Sequence, residues 1–316
     1  MAQRVIMMGE CMVELFQLVE NVYHQNFAGD VFNTAVYLKR SVGALAQVQF
    51  FSAIGTDLIS DKLLRAVQDE KIDTDLLLRT KTARPGLYMI NTDCFGERSF
   101  VYWRETSAAK QVLQCLSAQQ LEASLAGTDL FYFSGITLAI LSAEDRETLF
   151  SLVSTLKAQG CRIGFDPNYR PALWQNPEQA RENFIRAYQL ADLALPGVDD
   201  HKVLFNDADS PAVLARLVSY GVREIIVKNG KEGVLAQVDG DSFHSPAVQV
   251  KKVVDTTAAG DSYNGGYLAA RLQGKSAKAA CQYAATLAAF VVEHTGAIVA
   301  KDNFAEFQQK YPIADF

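Results

Sequence analysis

The chain has 316 residues, 49% of them apolar, and carries 36 Asp and Glu against 30 Lys and Arg, a formal charge of -6. That length and apolar share suffice for a large buried core, and the acidic balance without any basic run excludes a general nucleic-acid binder, which must neutralise a phosphate backbone. No run of about eighteen apolar residues occurs, against a membrane-spanning helix; five scattered cysteines without C-x-x-C spacing argue against a disulfide framework or zinc site and fit a reducing cytoplasm.

The first residues, MAQRVIMMGECMVELF, contain an apolar run that Glu10 and Glu14 interrupt too early for a secretory signal. RVIMMG therefore reads as a first buried strand. Residues 12–27 read as a strand pair, and VFNTAVYLKRSVG as a helix ending at a glycine. QVQFFSAIG is a buried strand and DLISDKLLRAVQDE an amphipathic helix. Residues 86–104 form a second expected strand pair, turning at Asp93-Cys94-Phe95-Gly96. Beyond it, DLFYFSG, RIGFDPN, ADLALPG and REIIVKNG are buried strands; SAEDRETLFSLVSTLKAQG and SPAVLARLVSYG are helices between them.

This alternation predicts an α/β fold with a parallel sheet covered by helices on both faces. Ligands collect at the carboxyl ends of such strands, where the polar clusters of this sequence lie. The two strand pairs are expected to form a small antiparallel subsheet over those ends, a lid on a single domain spanning 1–316. Ordinary edge hairpins would give the same pattern.

Near the C-terminal end, VVDTTAAGDSYNGGYLAAR reads as a strand running into a helix, with Asp261 near its N-cap. The amides of Ala258, Ala259 and Gly260 would then point together at the positive end of a helix dipole, an anion site. In isolation such a short motif is equally a helix cap after a turn. The four histidines show no metal spacing.

With DTTAAGD as the anchor, the chain resembles the PfkB or ribokinase family of sugar kinases, whose signature is D-T-x-G-A-G-D before a helix. AGDVFNTAVYLKR, Gly55-Thr56-Asp57, DPNYRPALW, VKNGKEG and SAKAACQYAATLAAF follow the family's order and spacing over nearly the whole length. Within that family GECMVEL, PGLYMI, FVYWRETSAAK and DTTAAGDS are most similar to the branch acting on 2-keto-3-deoxygluconate. The resemblance implies a ribokinase-like three-layer αβα sandwich with a mostly parallel central sheet and a small antiparallel lid.

It also implies ATP-dependent phosphorylation of the 6-hydroxyl of that sugar acid. Asp261 would act as general base, with the amides of Ala258, Ala259 and Gly260 facing the migrating phosphoryl group. Gly29, Asn33, Tyr88, Tyr102, Arg104 and Arg170 would contact the sugar acid, since a guanidinium fork matches a carboxylate. Asp166, Asn168, Lys228, Gly230 and Gly233 would lie along the nucleotide. Gly197-Val198-Asp199-Asp200 stands where many relatives carry N-x-x-E, so Asp200 would keep an acidic role toward Mg²⁺-ATP. Some relatives hold a monovalent cation near the positions of Asp255 and Thr257. A dimer or higher homo-oligomer joined through the lid is expected. A kinase of a neutral ketose or another aldonic acid, and a catalytically silent sugar sensor, remain the alternatives.

Overall fold

The computed structural model describes residues 2–19, 21–92 and 98–316. In chain order its strands are β1 (Gln3–Met8), β2 (Met12–Val19), β3 (Val22–Ala28), β4 (Ala46–Ile54), β5 (Leu77–Arg79) and β6 (Leu87–Thr92). There follow β7 (Arg98–Trp103), β8 (Leu130–Ser134), β9 (Arg162–Asp166), β10 (Leu193–Ala194), β11 (Glu224–Lys228), β12 (Val234–Val238) and β13 (Asp241–Ser245). One sheet takes the order β13-β12-β11-β10-β9-β8-β1-β4-β5. Pairing is parallel from β11 to β5, while β12 and β13 add an antiparallel edge.

Strand β1 explains why these runs are apolar without alternation. Val5 and Met7 enter one core with Tyr37, Phe50 and Tyr267, and Ile6 and Met8 enter another with Phe133, Phe165 and Phe184. Both faces are buried, so both parities must be apolar, each large side chain contributing about 2 kcal/mol. The helices Asp30–Val42, Ala259–Leu272 and Ala277–Val292 cover the first face; Ala143–Ala158 and Pro177–Leu190 cover the second. The expected helix starts are capped: Asp57 accepts from the Ile59 and Ser60 amides at 3.0 and 3.1 Å, and Ser142 from Asp145 at 3.0 Å.

Three features differ from expectation. ADLALPG yields only the two residues of β10, because Pro196 has no N–H for the ladder; its carbonyl instead accepts from the Lys228 amide at 2.8 Å. No strand precedes the DTTAAGD loop, since Val254 and Asp255 direct their amides to the Val292 carbonyl at a helix end. The small sheet, of order β3-β2-β6-β7, is not wholly antiparallel. Its outer pairs are antiparallel, but β2 and β6 pair in parallel because both leave the same edge of the main sheet in the same direction. The turn expected at residues 93–96 lies outside the described residues. Among the described residues no helix is long and apolar enough to cross a membrane.

Candidate active site

The helix Ala259–Leu272 begins beside the carboxyl ends of β9 and β11. Its N-cap is Ala258, so Asp261 sits inside the first turn, three residues further in than the cap. The Ala259 amide donates to the Thr256 carbonyl at 3.2 Å and closes the turn that starts the helix. Of the three amides expected to face an anion, that one is therefore engaged. The Gly260 and Asp261 amides have no acceptor among the described residues and lie at the positive end of the helix. Upstream, Asp255 pins the loop: its Oδ1 accepts from the Thr257 amide and hydroxyl at 3.0 and 2.6 Å, and its Oδ2 from the Gly296 amide at 2.8 Å.

Asp261 is tied to the first helix of the chain. Its Oδ2 accepts from Nδ2 of buried Asn33 at 2.9 Å, and Asn33 Oδ1 accepts from the Gly29 amide at 3.4 Å. Gly29 has extended backbone, yet a Cβ there would stand 2.0 Å from the Glu10 carbonyl oxygen. Only glycine allows this approach, even with Ala28 in place of the family's other glycine. Although the residue is partly open to solvent, the Asp261 carboxyl is deep enough that burial pushes its pKa well above the usual carboxylate range. The charges of Asp30 and Asp166 add to that shift, while Asn33 and Lys228 oppose it.

Asp166, at the end of β9, accepts from Asn264 Nδ2 at 2.6 Å and from Lys228 Nζ at 3.3 Å. Lys228 also donates to Asn264 Oδ1 at 3.0 Å and stands 3.8 Å from where a Cβ on Gly260 would be. Asn168, at the unusual φ of 32°, donates through Nδ2 to Asp30 at 3.0 Å. Gly230 and Gly233 bracket the turn from β11 to β12, both at positive φ. Asp200 lies nearby, and its pKa rises to about 6, through burial first and then the Asp166 charge. The cleft thus gathers four carboxylates, Asp30, Asp166, Asp200 and Asp261, around Lys228.

On the lid, Tyr88 and Tyr102 are cross-strand partners with ring centroids 5.7 Å apart, and the Arg104 guanidinium lies 5.7 Å from the Tyr102 ring. This is the face shared by Glu14, which accepts from the Tyr88 hydroxyl. Burial, followed by the Glu14 charge, drives the Tyr88 pKa upward. Arg170 is not brought to Arg104. It is exposed, donates to its neighbour Tyr169's carbonyl at 3.0 Å, and places its charge by Asp200.

Five residues of this neighbourhood escape a reading of the sequence: Glu10, Glu14, Asp30, Asn264 and Tyr132, whose hydroxyl accepts from Asn264 at 3.1 Å. The signals were present. Glu10 and Glu14 stand among apolar residues, one just before β2 and one inside it, and Asn264 is one helical turn from Asp261 on a face that is otherwise buried.

The sequence matches the pfkB family carbohydrate kinase model over residues 2–303. It is 40% identical over 306 residues to the 2-dehydro-3-deoxygluconokinase of Escherichia coli (strain K12), covering 96% of this chain and 99% of that protein. Identity to the 2-dehydro-3-deoxygluconokinase of Dickeya dadantii (strain 3937) is 38% over 301 residues, covering 94% and 97%. The crystal structure of fructokinase with bound ATP from Xylella fastidiosa superposes with a TM-score of 0.82 at 24% identity, covering 98% and 99%. That last likeness is one of fold alone.

Proposed function

The chain belongs to the pfkB family of carbohydrate kinases, and from that membership we propose that it transfers the γ-phosphoryl group of ATP to the 6-hydroxyl of 2-keto-3-deoxygluconate, also called 2-dehydro-3-deoxygluconate. The observation that carries the reading is one helical turn that offers both a carboxylate of raised proton affinity and two unengaged amides. Asp261 takes the proton as the sugar oxygen attacks phosphorus; the bond from phosphorus to the bridging oxygen breaks, and ADP leaves with that electron pair. The Gly260 and Asp261 amides hold the phosphoryl oxygens, and Lys228 offsets charge beside them. Asn33 keeps the Asp261 carboxyl aimed.

The donor set fits Mg²⁺ carried mainly by the nucleotide. Asp166 and Asp200 are hard oxygen donors, and no group of three or more His, Cys, Asp or Glu among the described residues would cage a metal. When bound, the ion supplies charge neutralisation to the phosphates. The choice of a sugar acid is supported by the two 2-dehydro-3-deoxygluconokinase relatives and by Arg104 on the cleft face of the lid. A coupled ADP-release assay over sugar acids and neutral ketoses tests it. Turnover should be highest with 2-keto-3-deoxygluconate; higher kcat/KM with fructose would overturn the assignment.

The opposite lid face presents Val101 and Trp103, 43% and 52% exposed, and fits pairing with a second copy of the chain. Sedimentation equilibrium should give a dimer or higher assembly, and Trp103→Glu should shift it toward monomer.

A further inference from the structure

Glu10 is 1% exposed just past the end of β1, a buried carboxylate that the chemistry above leaves unused. Its two oxygens have separate partners: Oε2 accepts from Arg104 Nη2, and Oε1 from the Ser107 hydroxyl. These contacts join the end of β1, an interior strand of the main sheet, to the chain leaving the last lid strand, 94 residues later for Arg104. Gly86 leaves room for them, because a Cβ there would lie 2.9 Å from Glu10 Oε1 and 3.1 Å from Arg104 Cβ. The GE, PG and WRETS segments, far apart in the chain, thus meet in one arrangement.

The Arg104 side chain is only 10% exposed, and its Nε is buried without a hydrogen-bond partner. Nη1 donates to no described group. Had Glu10 turned both oxygens to the guanidinium, the pair would close on itself in a fork. Ser107 draws one oxygen away, so Glu10 holds a single Arg104 nitrogen and leaves the others open. A buried N–H without an acceptor is costly and rare, and an absent ligand is one condition under which it persists.

We propose that Glu10, oriented by Ser107, is a positioning residue that aims the Arg104 guanidinium so that its unengaged nitrogens receive the substrate's carboxylate. The inference rests on the sugar-acid reading above. Glu10 also keeps the guanidinium's charge compensated while the cleft is open, which an isolated buried cation would not tolerate. Its effect should fall on binding of the acid and not on the phosphoryl step.

Steady-state kinetics of Glu10→Gln, which keeps shape and removes charge, test this. KM for 2-keto-3-deoxygluconate should rise about 30-fold while kcat falls less than about threefold and KM for ATP moves less than about twofold. Glu10→Asp retains the charge and should recover part of the loss, and Ser107→Ala should raise the same KM by about fivefold. Should Glu10→Gln not fold, Ser107→Ala carries the kinetic test. In NMR spectra of the wild type, the Arg104 Nε–H resonance should shift on adding the acid; in the variant it should be lost to exchange. Equal losses for acid and ATP, or a lowered Tm with KM unchanged, would reduce Glu10 to a structural clamp and overturn the proposal. A wild type that phosphorylates fructose but not the acid sinks the functional reading and this inference together. A wild type active on the acid, with Glu10→Gln unchanged in KM, sinks this inference alone.

Discussion

Strand β11 and the helix Ala259–Leu272 share a charged cluster at each end, and the two clusters are built on opposite terms. At one end Glu224 receives the Tyr267 hydroxyl at 2.5 Å, Arg271 Nε and Nη2 at 3.0 and 3.1 Å, and Arg162. Burial works against its charge, yet Arg271, Arg162 and Tyr267 together hold its pKa below the ordinary range. At the other end Lys228 faces several carboxylates, and burial with Asp30 and Asp166 drives the Asp261 pKa up. One end is balanced without any ligand. The other crowds carboxylates together, which favours proton uptake and would favour a cationic or hydrogen-bonding guest, as fits the proposed site.

The largest test of this contrast is Asp261→Asn, which keeps the volume and removes the base. We expect kcat to fall about 10³-fold with sugar-acid affinity changed less than about threefold. The unliganded variant should also melt about 2 °C higher, because one repelling charge is gone. Turnover within tenfold of wild type, or a lower Tm, would break the comparison at its functional end.

The matched end gives the complementary outcome. Glu224→Gln leaves two guanidiniums facing a neutral amide and should cost about 2 kcal/mol of stability in urea unfolding. Its kcat/KM per folded molecule should equal that of wild type. A loss of activity without a loss of stability would mean that the two ends are coupled through the helix.

How far these clusters are legible in the sequence follows from the range of their contacts. The buried strands and helix starts are readable because apolar periodicity and a capping Asp57 or Ser142 are local facts. Asp261, Asn33 and Gly29 come through shared motifs that carry their own spacing. Glu10 with Arg104, Asp166 with Asn264, and Glu14 with Tyr88 are pairings between segments 94, 98 and 74 residues apart. No local pattern encodes which partner a polar residue at a strand end will meet. The parallel union of β2 with β6 escapes for the same reason, and the guanidinium of Arg170 shows the converse: residue type suggests a carboxylate fork, while its position in the turn sends it toward Asp200.

The smallest effect concerns Asp200, whose pKa of about 6 lies above its unfolded value near 3.8. Between those values the folded chain holds a proton that the unfolded chain has released. Stability from this group is therefore present below pH 4 and lost as pH rises through about 6. Asp261 acts in the same sense. Asp200→Asn keeps the neutral form at every pH, so its advantage over wild type should appear between pH 4 and 6 and level off above, at about 1 kcal/mol after solvent screening. Urea unfolding of both chains at pH 4.5 and 7.5 without nucleotide measures it. Equal differences at the two pH values would mean that Asp200 is already ionised in the fold, and the excess of carboxylates at the cleft would then be smaller than the contrast with Glu224 requires.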